Sequence, residues 1–197
     1  MTRTGFTLIE LIIVIAIIAI LATTVILVLN PAVILAEARD SQRIADLSQL
    51  NSALGLYLAT SGATLGGVTN KCYVQETSGA VSEKCGGRHD DDTIADIEGR
   101  AVNGSGWIPV AFTKISGGSP LSTLPIDPTS SNTLFYSYAT DAVSGFELNA
   151  NMESCRYSGG TLPTGCAVDS NTDDMETDDG GNKPGVYEIG NAPDLTL

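Results

Sequence analysis

The sequence predicts an α+β protein, a long N-terminal helix with a small antiparallel sheet laid across its C-terminal half. Three observations predict this class. Phe6 to Leu29 is an apolar run that carries a single charge, Glu10. The stretch 32–59 that follows is amphipathic, with Ile44, Leu47, Leu50, Leu54 and Leu58 recurring at spacings of three and four, the period of a helix with one buried face. Further on, residues 133–140 (TLFYSYAT) and 145–152 (GFELNANM) alternate β-favouring side chains around a connection short enough for a hairpin.

The chain opens with a short polar leader, MTRTG, whose one cation is Arg3. At ~1.5 Å rise per residue the apolar run after it makes a helix of about 36 Å, enough to cross a hydrocarbon core of ~30 Å. An ionised carboxylate inside such a span costs on the order of 2.5–3.5 kcal/mol or more, so Glu10 calls for a partner. A secretory signal peptide has an apolar core of only ~7–15 residues with a small-residue cleavage site just after it. Here the run is longer, and the nearest such site, Ala36-Glu37-Ala38, lies beyond Pro31. A plain membrane anchor explains the length but neither Glu10 nor the Gly5-Phe6 junction.

The segment GFTLIELIIVIAIIAILA resembles the N-terminus of bacterial type IV pilins and type II secretion pseudopilins. The resemblance is close over roughly the first 60 residues and looser beyond. It implies that a prepilin peptidase cuts between Gly5 and Phe6 and methylates the new N-terminus. It implies that Glu10 pairs with the Phe6 amine of its own or a neighbouring subunit during assembly. The partners it implies are further copies of the chain in a helical polymer, with or without minor pilins, the peptidase, an inner-membrane assembly platform with its ATPase, and membrane lipid before assembly. The precursor would cross the inner membrane once with its N-terminus cytoplasmic, in keeping with Arg3. The assembled form would be an extracellular pilus or a periplasmic pseudopilus. The expected division is a leader at 1–5, a membrane or filament-core segment at 6–30, its amphipathic continuation at 31–60 and a globular β domain at 61–197.

Within the amphipathic stretch, Glu37, Arg39, Asp40, Arg43 and Asp46 are expected on solvent-facing sides. There Asp40–Arg43 and Arg43–Asp46 would each contribute only ~0.2–0.5 kcal/mol. One helix from Phe6 to Ala59 is expected, stopping at Ser61-Gly62. Pro31 interrupts it. Proline lacks an N–H and clashes with the carbonyl four residues back, so a kink is expected there, either a plain boundary or a point that rearranges in a filament.

Residues 62–106 are rich in Gly, Ser, Thr and Asn without a sustained period, and read as a long connecting loop. Trp107–Phe112 reads as a strand, with Pro109 confining it to an edge or bulge. Leu124-Pro125-Ile126-Asp127-Pro128 reads as an extended link, and Tyr187–Gly190 as the last strand. The segment from Leu124 to Glu153 also resembles the sheet region of pilin-like proteins, which implies the same architecture.

The formal net charge is −13. It offers no basic stripe for nucleic-acid phosphates and suits a soluble, mutually repelling surface. The four cysteines, Cys72, Cys85, Cys155 and Cys166, all follow the apolar segment, and an even number in an exported domain reads as two disulfides. Three pairings are possible, and the favoured one, Cys72–Cys85 with Cys155–Cys166, closes two short loops. A four-cysteine zinc site normally shows C-x₂₋₄-C pairs, which are absent.

No catalytic set can be assembled around the one histidine, His89, in the run HDDD, so a structural and not an enzymatic role is expected. No cofactor is expected apart from calcium in the acidic stretch 169–179. There Asp169, Asn171 and Asp173 have the alternating spacing that begins a calcium loop. Asp174 then stands where such a loop needs glycine, and no bidentate Glu follows.

Overall fold

The computed structural model describes residues 5–61, 64–69, 71–75, 85, 87–89, 93–94, 99–159, 166, 173–177 and 179–193. The chain divides into two units, residues 1–36 and 37–197. The first contains helix α1, Leu8–Leu29, and the opening of helix α2, Pro31–Ser61. The single helix expected from Phe6 to Ala59 is therefore two. A residue before proline is pushed out of the α region, and Asn30 takes up the left-handed conformation at φ 36° that asparagine tolerates better than most. Pro31 then sits at the first position of α2, where its missing N–H removes no helical bond. Local continuity is kept by Val33 N–H donating to the Asn30 carbonyl at 3.0 Å.

The second unit is built on the rest of α2 and a sheet. Strands β1 (Lys71–Val74), β2 (Thr93–Ile94), β3 (Ser137–Thr140), β4 (Phe146–Ala150) and β5 (Tyr187–Gly190) lie in the order β2-β1-β3-β4-β5. Neighbours from β1 to β5 are antiparallel, and the two-residue β2 adds a parallel edge to β1. The β3–β4 hairpin turns on Asp141, whose Oδ1 accepts from the N–H groups of Val143, Ser144 and Gly145.

Period two sorts the strand residues. Tyr73, Tyr138, Phe146, Leu148, Ala150 and Tyr187 join Leu47, Leu50, Leu54 and Tyr57 of α2 in one apolar core. Ile44 and Leu58 pack at its margin. Each fully buried side chain of this size contributes about 1.5–3 kcal/mol. The other sheet face is polar and equally buried, with Ser137, Glu147, Asn149 and Glu188 among its residues. The Cys72–Cys85 disulfide ties the following residues to this face. There Arg88 lies over the Phe135 ring, 3.6 Å from its centroid, and donates to the carbonyls of Phe135, Thr133 and Asn149.

Two expectations are corrected. Trp107–Phe112 is not a strand. Trp107, Ile108, Val110 and Phe112 are all buried without alternation, Pro109 cannot donate, and the segment runs into a 3₁₀ turn at Phe112–Lys114. The 62–106 loop is not structureless, since it supplies β1 and β2. Gly66 there lies so close to the chain that a Cβ would fall 1.6 Å from the Pro109 carbonyl oxygen.

The charges on α2 are also placed differently. Asp40 and Arg43 are wholly buried. Arg43 grips Asp127 with two bonds, Nε to Oδ2 at 2.6 Å and Nη2 to Oδ1 at 3.0 Å, and donates to Asp40 Oδ1 at 2.6 Å. Asp40 accepts from the N–H groups of Glu153 and Ser154, and Asp127 from those of Thr129 and Ser130. Arg39 pairs with Glu153. Asp46 meets the Tyr136 hydroxyl at 2.9 Å rather than Arg43. Burial opposes the charge on both Arg43 and Asp127. Their mutual bonds outweigh it, holding Asp127 below the ordinary carboxylate range and Arg43 above its ordinary value.

Breaking a buried, hydrogen-bonded pair leaves an uncompensated charge. Arg43→Ala and Asp127→Ala should therefore each cost about 3–5 kcal/mol. In urea denaturation of the full chain in detergent micelles, the double substitution should cost little more than either single one. Fully additive losses would show that the two side chains do not depend on each other.

Candidate functional site at the N-terminus

The processing and assembly residues expected from the sequence lie in the first unit. Gly5 and Phe6 precede the helix, and Phe6 is 81% exposed. A Cβ on Gly5 would meet nothing within 4 Å, so the fold itself does not require glycine there.

Helix α1 begins at an N-cap, Thr7, in extended conformation. The Glu10 N–H donates to Thr7 Oγ1 at 3.3 Å, and Glu10 Oε2 takes back the Thr7 N–H at 2.8 Å and the Thr7 hydroxyl at 2.7 Å. This is a capping box, which satisfies two otherwise orphaned N–H groups at a helix start. Its Thr-x-x-Glu pattern stands at the start of the apolar run, and reading Glu10 only as an assembly residue passes over it. Oε1 of Glu10 has no protein partner among the described residues. The carboxylate is thus held at the helix mouth with one oxygen committed and one available.

From Leu8 to Ile26 the helix is long and apolar enough to cross a membrane, and every side chain in that stretch is exposed. The polar exceptions are satisfied locally, Thr23 and Thr24 donating to the carbonyls of Ile20 and Leu21 at 2.8 Å. Twenty-two residues at ~1.5 Å each give about 33 Å. Pro31 follows Asn30, the left-handed cap of this helix.

The remaining expected sites lie in the second unit. Cys72 is joined to Cys85 and Cys155 to Cys166. Closing loops of this size constrains the unfolded chain by roughly 3 kcal/mol each in the entropy model. Of the calcium residues, Asp169 and Asn171 lie outside the described residues. Asp173 is in a two-bond ion pair with Arg156, Nε and Nη2 both 2.6 Å from Oδ2. Among the described residues no three His, Cys, Asp or Glu side chains converge on a point that could hold a metal ion. His89 is buried against Glu147 and Asn149. Glu176, also buried, accepts from the N–H groups of Met152 and Gly159, and burial pushes its carboxyl up to about 7.

Residues 1–26 match the prokaryotic N-terminal methylation motif. The chain carries a pilin-type N-terminus. The motif is typical of the type IV pilin and pseudopilin family, and in this chain it spans the leader, the capping box and most of the apolar helix. No curated protein and no solved structure matches the chain. The pilin-type reading therefore rests on this N-terminus and on the α+β architecture, in which α2 packs on an antiparallel sheet.

Loss of the Thr7 hydroxyl should loosen the first turn. An N-cap is worth about 1 kcal/mol, so amide exchange at Glu10 in Thr7→Ala should rise by about fivefold in detergent micelles. Exchange at Ile17, more than a turn further in, should not change. An unchanged Glu10 rate would mean that Thr7 does not cap α1.

Proposed function

We propose that this chain is a structural subunit of a type IV pilus-like filament, cut by a prepilin peptidase between Gly5 and Phe6 and polymerised through α1. The observation that carries the reading is the N-terminus itself, a methylation-motif junction leading into an apolar helix whose side chains from Leu8 to Ile26 are exposed. An uncovered apolar surface of this length needs lipid before assembly and other helices after it. Its partners would then be copies of itself, the peptidase and an inner-membrane assembly platform with its ATPase. The role is mechanical and adhesive, without catalysis.

Glu10 has a defined part in this reading. Cleavage leaves a cationic amine on Phe6, and burying either charge alone in apolar surroundings is costly. The open Oε1 of Glu10 offers that amine a partner, from its own or an incoming subunit, while Oε2 keeps the helix capped. The break at Asn30-Pro31 is where the helical segment can shift its conformation as the subunit packs. Two cysteine-closed segments in a domain of this size favour a surface-displayed pilus over a secretion pseudopilus, because disulfides suit an exposed extracellular subunit. A membrane-anchored module that never polymerises would keep its N-terminus intact.

Mass spectrometry of the native protein's N-terminus tests the processing step. The expected species begins at methylated Phe6, and Gly5→Leu should leave the full-length precursor in the membrane. A mature species in that variant would overturn the cleavage assignment. Glu10→Ala and Glu10→Gln should leave the second unit folded and the chain processed, yet strongly reduce filaments in sheared surface material viewed by electron microscopy. Wild-type filament yield in both would mean that the Glu10 charge does not guide docking.

A further inference from the structure

The polar face of the sheet holds two buried acids, Glu147 and Glu188. In the β4–β5 register Asn149 stands opposite Glu188 and Glu147 opposite Gly190, which makes Glu147 and Glu188 diagonal neighbours on one face. They are 2% and 1% exposed. Asn149 Nδ2 donates to Glu147 Oε1 at 2.6 Å, and Lys183 N–H donates to Glu188 Oε2 at 2.8 Å. Glu188 Oε1 is buried without a hydrogen-bond donor, as is Asn149 Oδ1. At diagonal positions on one face, two side chains of this length can reach each other. Asp179 closes the far side, accepting from the Glu188 and Gly181 N–H groups. Gly181 is needed for that closure, since a Cβ there would fall 1.9 Å from Glu188 Oε2.

Two ionised carboxylates are acceptors only and cannot bond to each other, whereas a pair holding one proton can. The other charged groups facing the pair among the described residues are Asp179, which adds negative charge, His89, whose Nδ1 is 3.6 Å from Glu147 Oε1, and Arg88. Arg88 spends its donors on Phe135, Thr133, Asn149, Asn151 and Ser137. Lys183 contributes its backbone N–H.

We propose that Glu147 and Glu188 share one proton, and that this proton fastens strand β5 and the 179–183 turn to the sheet, so that the C-terminal strand loosens as the proton is lost. Burial first, and the Asp179 charge after it, push the Glu188 carboxyl up to about 6 from 4.5. The folded state thus holds the proton more tightly than the unfolded chain. The stabilisation is complete below about pH 4.5 and is lost as pH rises through about 6. A rise of about 1.5 pH units corresponds to a factor of about 30 in the docking equilibrium.

The test is hydrogen exchange of the β5 amides in the full chain in detergent micelles, from pH 4 to 8, corrected for intrinsic rates. Wild-type protection of Ile189 should fall by about 30-fold over that range. Glu188→Gln, which carries its hydrogen permanently, should flatten the fall. Glu147→Gln should do the same and serves if the first variant does not fold. His89→Gln should keep the wild-type profile. Glu176 also titrates in this range, but it does so in wild type and variants alike, so the difference between their profiles isolates the pair. A Glu188→Gln profile parallel to wild type would overturn the proposal. So would loss of the pH dependence in His89→Gln, which would assign it to an imidazolium–Glu147 pair. Restoration of wild-type protection at pH 8 by millimolar calcium would also overturn it, a cation and not a proton then bridging the acids.

Discussion

The second unit depends on Arg43. A guanidinium carried into a protein interior loses hydration worth several kcal/mol, and one carboxylate on one hydrogen bond does not restore it. Here the planar fork of Arg43 is matched by the two oxygens of Asp127, with Asp40 taking a further N–H and Thr129 Oγ1 another. Each acid is in turn satisfied by backbone N–H groups from a different segment, Asp127 by the turn at Thr129-Ser130 and Asp40 by Glu153-Ser154. The cluster therefore tells α2 which loops to accept. Apolar packing alone would tolerate α2 rotated or slid by a turn, but a bidentate arginine does not. Lysine in its place would keep the charge and lose the fork.

A second buried arginine performs the corresponding task on the opposite side of the sheet, with backbone carbonyls in place of carboxylates. Arg88 gathers the carbonyls of Thr133, Phe135 and Asn149 beneath a ring stack on Phe135. It can do so only because the Cys72–Cys85 bridge returns its segment to β1. A covalent tie sets the segment's position, and hydrogen bonds set its orientation. With α2 on one face and this segment on the other, a sheet of short strands is buried on both sides, one apolar and one polar.

Which parts of this were legible in the sequence follows from how local the determining physics is. Tyr187–Gly190 and the β3–β4 hairpin were readable because alternation and a short connection are written into adjacent residues. So was α2, from the three-and-four spacing of its leucines, and so was the capping box, in Thr7 and Glu10, although it was not read. Arg43 was not, since Asp127 is 84 positions away and nothing in the Asp40–Arg43 spacing separates a solvated pair from a buried one. β1 escaped because four residues amid glycines and serines show no period, and Tyr73 becomes a strand residue only once Tyr138 lies beside it. Trp107–Phe112 misled for the converse reason, since apolar residues that fill a cleft from several directions resemble a strand in one dimension.

One problem recurs along the chain, a charge brought into surroundings that do not solvate it, and its solutions differ in sign. Asp127 is held ionised by Arg43, so its contribution is present above the ordinary carboxylate range and fades as acid protonates it. Glu176 and Glu188 are pushed the other way by burial, to about 7 and about 6, so their contributions fade as pH rises. The two groups of acids pull against each other as pH changes, Asp127 favouring the higher side and Glu176 and Glu188 the lower. Glu10 sits outside this balance. In the proposed function its surroundings are lipid or neighbouring helices, and its partner is the charge that cleavage before Phe6 would create. The buried Arg43 and Asp127 are matched when the domain folds, whereas under the proposed function the charge on α1 would find its match only after processing, and the state of the N-terminus would be a condition for assembly.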